Sequence, residues 1–323
     1  MQSSTYIRNK QIESQINRVV AIVVTYNRKE LLLECIEALM HQSSPCDVLI
    51  VDNASTDGTN EFLRNRDIFN DNRVHYLRLE KNFGGSGGFH YGIKYCMFQE
   101  WSWFWLMDDD AKPDEKALEI LLQNAIHSDC IYGSVAVGFA SGRKRLCFPA
   151  KLLQKKKMKF IEYHEFLGDL EEMSWIPFLG FFVHRHMVKR IGLPDLDFFI
   201  LDDDVEYSER AKKYNARIFL IKGSIIIHPL QATTLIHLLG KKIYYRSMPP
   251  WKIYYDVRNK ITVAKRYYRP LLWSQTIPGI LVRAFYSIFH EEKPLLALSA
   301  YAIAILDGIL NKTAKRFLPP IKK

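Results

Sequence analysis

Between residues 18 and 128, short apolar runs alternate with segments whose apolar residues recur at helical spacing. The short runs are rich in β-branched and aromatic residues, which indicates strands over residues 18–25, 47–51, 74–79 and 103–107. Apolar residues at helical spacing between them predict helices over residues 28–40, 56–66, 89–99 and 113–128. This alternation predicts an α/β fold with a mostly parallel sheet covered by helices on both faces.

The pattern loosens after residue 131, and we expect the remaining elements to complete the sheet. They are a strand over residues 178–183, a helix over 205–214 and a strand over 224–227. We predict three parts in the chain: an N-terminal extension of residues 1–17, an α/β domain of residues 18–235 and a basic, aromatic helical region of residues 236–323.

Polar loops follow four of the predicted strands, at the edge where parallel sheets bind ligands. Three consecutive aspartates, Asp108 to Asp110, end one strand. Their hard oxygen ligands suit Mn²⁺ or Mg²⁺, ions that share their coordination with substrate phosphates. The alternative is a solvated acidic turn before a helix.

The other loops have the composition of a nucleotide site. They are Thr25-Tyr26-Asn27, residues 52–58 with Asp52 at the strand end, and residues 82–88 with four glycines. Asp52 is placed to accept hydrogen bonds from a base or ribose, and glycines let the backbone approach a sugar or phosphate. The glycine spacing of a dinucleotide site and the lysine of a P-loop are both absent from these loops.

A formal charge of +10 suits an anionic partner, which leaves nucleic acid, an acidic membrane leaflet and a nucleotide-linked substrate open. Residues 241–269 interleave lysines and arginines with Trp and Tyr, a mixture typical of membrane interfaces and also able to stack on nucleic acid. Two apolar runs follow, residues 271–282 and 294–306. Each is shorter than the roughly 20 residues of a membrane span, so they predict helices that pack on the body or lie at a membrane surface.

The first 17 residues contain no apolar stretch of the signal-peptide type, so we expect a cytoplasmic protein. The five cysteines are scattered without the spacing of a zinc site or of a disulfide framework. We therefore expect reduced, mostly buried thiols.

Three segments, Val24–Arg28, Val51–Thr59 and Asp108–Asp110, resemble the family 2 glycosyltransferases with the GT-A fold, and the resemblance covers about residues 18–230. Lys81–Phe89 and Leu201–Tyr207 resemble galactofuranosyltransferases and their rhamnosyltransferase-like relatives. The resemblance implies an inverting, metal-dependent enzyme that transfers galactofuranose from UDP-galactofuranose, or rhamnose from dTDP-rhamnose. The acceptor would be a lipid-linked or growing cell-surface glycan, such as O-antigen.

The resemblance also implies roles for individual residues. Asp108, Asp110 and His228 would bind the divalent metal, and Asp109 would face the donor sugar. The other implied donor-binding residues are Thr25, Asn27, Asp52, Asn82, Gly85 and Gly88. Inverting transfer requires a carboxylate that takes the acceptor proton, and the resemblance places this base at Asp204.

Several implied positions keep an alternative. Asp203 would bind the acceptor beside the base, but an additional acid at Asp202 leaves the register open by one position. The same acids would also suit the first turn of a helix. Trp175 would form an apolar platform for the acceptor sugar or belong to the core. Arg258 would contact a diphosphate or pair with Asp256.

Two other classes compete with the transferase. A nucleotidyltransferase would carry a glycine-rich loop after the first strand, where Thr25-Tyr26-Asn27 has no glycine. A noncatalytic nucleic-acid-binding protein would explain the charge, but it leaves the acidic clusters unexplained, because carboxylates repel phosphate. We therefore expect no nucleic-acid partner. The basic, aromatic region instead predicts peripheral contact with an anionic membrane, at the inner face of the plasma membrane. The sequence is also compatible with a homo-oligomer.

Overall fold

The computed structural model describes residues 18–154, 157–230, 234–238, 241–313 and 316–317. The predicted N-terminal extension, residues 1–17, lies outside them. The chain forms two compact units, the first from Met1–Pro194 with Tyr207–Leu230 and the second from Asp195–Glu206 with Gln231–Lys323. Residues 195–206, which carry the second acidic cluster, therefore group with the C-terminal helices. The predicted domain division after residue 235 stays a prediction.

The first unit begins with a parallel half-sheet. Its strands are β1 (Val19–Thr25), β2 (Asp47–Asp52), β3 (Val74–Arg78) and β4 (Trp103–Asp108), in the order β3-β2-β1-β4. The helices that alternate with them are α1 (Lys29–Met40), α2 (Thr59–Arg64), α3 (Gly84–Cys96) and α4 (Ala117–Asn124). All residues of β1 are buried, since helices cover both faces of the sheet. One face packs on Phe89 and Ile93 of α3, and the other on Leu32 and Ile36 of α1.

The rest of the first unit makes the sheet mixed. The additional strands are β5 (Lys112–Pro113), β6 (Ile131–Ala140), β7 (Arg143–Gln154), β8 (Lys157–Tyr163), β9 (Leu170–Glu172), β10 (Phe181–His184) and β11 (Ile218–Ile227). Two further helices are α5 (Arg185–Ile191) and α6 (Asp203–Lys213), the second of which starts in the other unit. The α/β fold with helices flanking the sheet is confirmed. The parallel arrangement ends at β4, because β10 is antiparallel to both β4 and β6.

Helices α3 and α4 begin several residues away from the starts that the sequence predicts. Helix α3 begins at Gly84, inside the glycine run, and not at residue 89. A side chain at Gly88 or Gly92 would overlap Val24 or Ile22 of β1, so these glycines allow the helix to approach the sheet. Helix α4 begins at Ala117, because Lys112 and Pro113 pair with β11 instead of starting the helix.

The second unit is helical. It contains α7 (Pro250–Tyr267), α8 (Ile277–His290), α9 (Pro294–Ile309) and a hairpin of β12 (Thr234–Leu238) and β13 (Lys241–Tyr245). A one-turn helix, Arg269–Leu271, and a π-helical turn, Leu272–Thr276, connect α7 to α8. Among the described residues, no helix combines the length and apolar character needed to cross a bilayer.

Helix α7 carries most of the basic, aromatic segment for which the sequence predicts an interfacial surface, but it is the buried centre of its unit. Tyr254 and Tyr255 are fully buried, and Arg258 is 3% exposed. Lys260 forms ion pairs with Asp202, at 3.2 Å, and with Asp256. Cations and rings that would face lipid are thus used in internal packing, because a small helical unit needs its aromatic residues for a core.

Candidate active site

The strand register brings the polar loops to one edge of the sheet. Thr25 pairs with Asp52, and Val24 pairs with Asp108, so β1, β2 and β4 end at the same level. The sequence predicts this edge as the ligand site, and the structure brings together the acidic residues at the end of β4 and the loop after β1.

Asp109 is the buried member of the acidic run, with 3% of its surface exposed. It accepts a hydrogen bond from Thr25 Oγ1 at 2.8 Å and one from Arg28 Nη1 at 3.0 Å. The same Arg28 nitrogen donates to Asp110 Oδ2 at 2.8 Å. Arg28 therefore supplies the positive charge that balances two adjacent carboxylates.

His228 lies beside Asp110, although the two are far apart in the sequence. It directly follows β11, and its N–H donates to Val137 O of the neighbouring β6 at 2.9 Å. Its Nε2 is 3.2 Å from Asp110 Oδ1. Both side chains are mostly buried, with 8% of the His228 side chain and 14% of the Asp110 side chain exposed.

The charges of these groups are coupled. Burial opposes ionisation of Asp110, but His228 and Arg28 outweigh it and lower the pKa of Asp110 to about 2. Burial also opposes protonation of His228, yet the contact with Asp110 raises the pKa of the imidazole to about 10. Burial raises the pKa of Asp109 to about 6, against the lowering effect of Arg28. At neutral pH, Asp110 and His228 thus form an ion pair, and metal binding by His228 would release the proton of the imidazolium.

The donor set fits a divalent ion that completes its shell with a phosphate-bearing ligand. Asp110 Oδ1 and His228 Nδ1 are buried atoms without a hydrogen bond, because the contact of Asp110 Oδ1 with His228 has ion-pair distance but not hydrogen-bond geometry. In the part of the chain that the structure describes, no three His, Cys, Asp or Glu side chains are arranged to hold a metal by themselves. Carboxylate oxygens and one imidazole suit Mn²⁺ or Mg²⁺, with phosphate oxygens and water as further ligands.

The loops after β1 and β2 are tied to each other. Asn27 has a left-handed backbone, with φ of 55°, and its Oδ1 accepts the N–H of Thr56 at 2.6 Å. Asp52 is completely buried and accepts hydrogen bonds from Tyr76, from Ser55 N at 2.7 Å and from Arg78 Nη1 at 2.6 Å. The Asp52 carboxylate thus holds Arg78, whose side chain is 47% exposed, at this edge.

Asn53 and Asn82 fix the glycine loop. Asn53 Nδ2 donates to Gly84 O at 2.7 Å, and Asn82 Oδ1 accepts the N–H of Gly84 at 2.8 Å. A Cβ atom at Gly85 would meet nothing within 4 Å, so the backbone there borders open space. Gly88, in contrast, is buried, and a Cβ atom there would overlap the side chain of Val24.

The second acidic cluster, here called the acidic segment, comprises Asp202 to Asp204 and Glu206 and belongs to the helical unit. The loop before it is strained, since Phe199, Leu201 and Asp202 have φ values of 61°, 66° and 59°. Asn259 of α7 holds this loop: its Nδ2 donates to the carbonyls of residues 198, 200 and 201 at 2.7–2.9 Å. Asn259 is 1% exposed, so a buried amide holds the loop that precedes the acidic segment.

Asp204 stands in the first turn of α6, where Asp203 and Glu206 also lie. Its Oδ1 accepts the N–H of Val205 at 2.7 Å, as an acid near a helix N-terminus does. Burial raises the pKa of Asp204 well above its ordinary value, and the negative charges of Asp203 and Asp202 raise it further. A carboxyl group with a raised pKa is a better proton acceptor once it is ionised.

The comparisons with known proteins agree with these observations. The model of the family described as glycosyl transferase family 2 matches residues 20–175. The chain contains a family 2 glycosyltransferase domain. It is 27% identical over 232 residues to a galactofuranosyltransferase, GlfT1, of Mycolicibacterium smegmatis, which covers 70% of this chain and 76% of that protein. It is 24% identical over 304 residues to a dTDP-rhamnosyl transferase, RfbF, of Shigella flexneri, over 92% of this chain and 97% of that protein.

A solved structure supports the fold of the glycosyltransferase. The mannosyltransferase PcManGT of Pyrobaculum calidifontis, in complex with GDP-Man and Mn²⁺, aligns with a TM-score of 0.55 and 14% identity. The alignment covers 91% of this chain and 75% of that protein. The predicted GT-A fold is confirmed, with a mixed sheet, flanking helices and C-terminal helices.

Two further residues predicted for the glycosyltransferase site are Trp175 and Arg258. Trp175 is half-buried, lies edge-on to Phe148 and lines a cavity of about 30 Å³, which is the size of a water molecule and not of a sugar. Arg258 donates to Asn259 Oδ1 at 2.8 Å and to the backbone of residue 197, while its Nη1 is buried without a hydrogen bond. The alternative pairing of Arg258 with Asp256 is wrong, since Asp256 pairs with Lys260 and Arg283.

Sequence reasoning on this glycosyltransferase missed three polar residues that hold the predicted site residues in place. They are Arg28, Arg78 and Asn259. Arg28 ends the recognised Val24–Arg28 segment, and this adjacency was the available signal. Arg78 and Asn259 act on residues distant in sequence, so no local pattern indicates their contacts.

Proposed function

We propose that this glycosyltransferase is an inverting, metal-dependent enzyme that transfers galactofuranose from UDP-galactofuranose to a lipid-linked or growing cell-surface glycan, such as O-antigen. The observation that carries the proposal is the cluster of Asp109, Asp110, Arg28 and His228 at the carboxyl edge of the sheet. The resemblance to the galactofuranosyltransferase of Mycolicibacterium smegmatis over 70% of the chain supports galactofuranose as the transferred sugar.

The donor side uses the first unit. Asp108, Asp110 and His228 would hold Mn²⁺ or Mg²⁺, and the ion would supply positive charge to the leaving diphosphate. Asp109, fixed by Thr25 and Arg28, would face the donor sugar. The remaining donor-binding residues of the proposal are Thr25, Asn27, Asp52, Asn82, Gly85 and Gly88.

The acceptor side uses the acidic segment of α6. An acceptor hydroxyl oxygen forms a bond to the anomeric carbon while the bond from that carbon to the diphosphate oxygen breaks. Asp204 takes the hydroxyl proton, and the nucleoside diphosphate leaves with the bonding electron pair. Asp203 and Trp175 are proposed to contact the acceptor, and Arg258 a diphosphate.

Rhamnose transfer from dTDP-rhamnose is the second candidate, because the relative of Shigella flexneri aligns over 92% of this chain. A donor panel separates the two: UDP-galactofuranose, UDP-galactopyranose, UDP-glucose and dTDP-rhamnose with Mn²⁺, read as released nucleotide. Turnover of UDP-galactofuranose alone supports the first candidate, and turnover of dTDP-rhamnose alone supports the second. Absence of both turnover and metal-dependent binding for all four donors would overturn the proposed function.

The raised pKa of Asp204 predicts the pH dependence of transfer. A base must be ionised, so kcat/KM should fall as the pH drops through the raised pKa of Asp204, well above the value of about 4 of an ordinary carboxylate. Asp202→Asn removes a like charge and should move this acid limb to lower pH, while Asp197→Asn, an exposed acid of the preceding loop, should not. An unmoved limb in Asp202→Asn would count against Asp204 as the titrating base.

We also propose that the enzyme contacts an anionic membrane through α8 and α9. Their outward residues, here called the outer apolar face, are exposed by 40–83%: Leu281, Phe285, Ile288, Phe289, Leu295, Leu296 and Leu306. The charged residues within these helices point inward, since Arg283 pairs with Asp256 and Asp307 with Arg316. Exposed cations at Arg269, Lys293 and Lys312 flank the face, as at membrane surfaces.

Removing two rings tests this surface. Phe285 and Phe289 are 64% and 67% exposed, and the centroids of their rings are 5.5 Å apart. The double variant Phe285→Ser/Phe289→Ser should bind phosphatidylglycerol-containing vesicles at least about tenfold more weakly, because each ring contributes about 1.5–3 kcal/mol when buried. Phe98→Ser, at a 79% exposed ring of the first unit, is the matched control. Equal cosedimentation of the double variant and wild type would refute the contact.

A further inference from the structure

The helical unit contains a cavity of about 440 Å³, here called the C-terminal pocket. Its volume is within the range of roughly 300–1,000 Å³ that small-molecule sites occupy. Residues of the acidic segment, of α7 and the residue after it, of the π-helical turn and of α8 line it: Asp202, Val205, Lys260, Val263, Ala264, Tyr268, Gln275, Thr276, Gly279 and Arg283. None of these residues belongs to the donor site proposed above.

The charges of the C-terminal pocket are balanced. Lys260 pairs with Asp202 at 3.2 Å and also with Asp256, and Arg283 pairs with Asp256 at 3.0 Å. Two carboxylates therefore neutralise two cations. A phosphate site requires a surplus of positive charge, so the pocket suits a neutral ligand.

The pocket offers polar groups that the protein does not use. Gln275 and Thr276 belong to the π-helical turn Leu272–Thr276, an irregularity frequent at functional sites. Gln275 is exposed and Thr276 is half-buried, and in the described part of the chain neither side chain makes a hydrogen bond to the protein. Val263 and Ala264 add apolar lining. Free amide and hydroxyl groups beside apolar surface match a sugar, which has hydroxyl edges and apolar C–H faces.

The pocket is lined by residues on either side of the proposed base in the sequence. Asp202 and Val205 line it, and Asp204 lies between them at the start of α6. We propose that the C-terminal pocket binds a neutral sugar unit of the acceptor glycan. This inference rests on the proposed function, since it assigns the acceptor subsite of the same reaction. It adds a contribution of the helical unit to acceptor recognition, beside the segment that carries Asp204.

Gly279 provides a way to block the pocket. It lines the cavity, and a Cβ atom there would meet nothing within 4 Å. It lies in the first turn of α8, where methionine has a higher helix propensity than glycine. Gly279→Met should therefore fill part of the cavity without displacing protein atoms. Ala302→Met, at an exposed position of α9 outside the pocket, is the matched control.

The test measures binding apart from transfer. Saturation-transfer NMR on the full chain would follow octyl glycosides of galactofuranose, galactopyranose, rhamnose and N-acetylglucosamine. We expect wild type and Ala302→Met to bind at least one glycoside equally, and Gly279→Met to bind it about tenfold more weakly or not at all. Gln275→Ala should also weaken binding, by up to about tenfold, through the loss of one hydrogen bond. Melting temperatures of all variants would show that each is folded.

The outcomes separate this inference from the proposed function. Equal binding by wild type and Gly279→Met, or binding of none of the four glycosides, would overturn the pocket assignment. Glycoside binding that Gly279→Met abolishes supports the pocket even if no nucleotide sugar is turned over or bound with the metal, a result that would overturn the proposed function alone. Donor turnover without binding of any glycoside would support the proposed function and overturn the pocket assignment.

Discussion

Replacing Asp204 by Asn is expected to abolish sugar transfer and to leave donor binding nearly unchanged. Loss of a positioned base typically lowers the rate by about 10²–10⁴-fold. Asn keeps the size of the side chain and an oxygen that accepts the N–H of Val205, so the start of α6 should persist. Single-turnover transfer rates and calorimetric donor affinities of the variant and wild type check both parts of this prediction.

The neighbouring acid provides the control for the register of the base. Asp203→Asn should raise the KM for the acceptor and leave a measurable rate. Because Asp202 extends the acidic run by one residue, the base would be Asp203 if the resemblance were shifted by one position. An inactive Asp203→Asn together with an active Asp204→Asn would show that shift. Normal turnover by both variants would remove the base from this segment.

The second large effect is expected at the metal site. Asp110→Asn should lower Mn²⁺-dependent donor binding by about 100-fold or more, as truncation of one partner in a buried charge cluster does. The substitution removes the charge that faces His228 at 3.2 Å and Arg28 at 2.8 Å. Asp109 would still pair with Arg28, so the loop after β1 should remain in place. Titration of the donor with and without Mn²⁺ measures the effect.

An exposed acid a few residues further along the chain is the matched control. Asp114→Asn makes the same chemical change, and Asn can still accept the N–H of Lys116 that Asp114 accepts at 3.3 Å. Its donor binding should equal that of wild type. If Asp110→Asn retained full metal-dependent binding, Asp110 would be only a structural partner of Arg28, and the proposed metal site would have to be abandoned.

Local pattern was sufficient for the strand-helix alternation and for the polar loops at the carboxyl ends of β1, β2 and β4. The strands are buried on both faces, so their sequences are short apolar runs that a single pass along the chain detects. The loops between strand and helix carry polar residues in any such fold, and their composition already indicates a nucleotide ligand. The prediction was wrong about helix α3, because Gly84 to Gly88 read as loop residues although they start a helix packed on β1.

The α/β class, the positions of the strand-end acids and the family of the domain follow from local sequence, because each depends on residues close together in the chain. Tertiary structure decided the antiparallel insertion of β10, the pairing of Asp110 with His228 and the attachment of residues 195–206 to the helical unit through Asn259. It also decided that α7 is buried while α8 and α9 expose apolar residues. Composition counts cations and rings, but only packing determines which of them pair internally and which face outward.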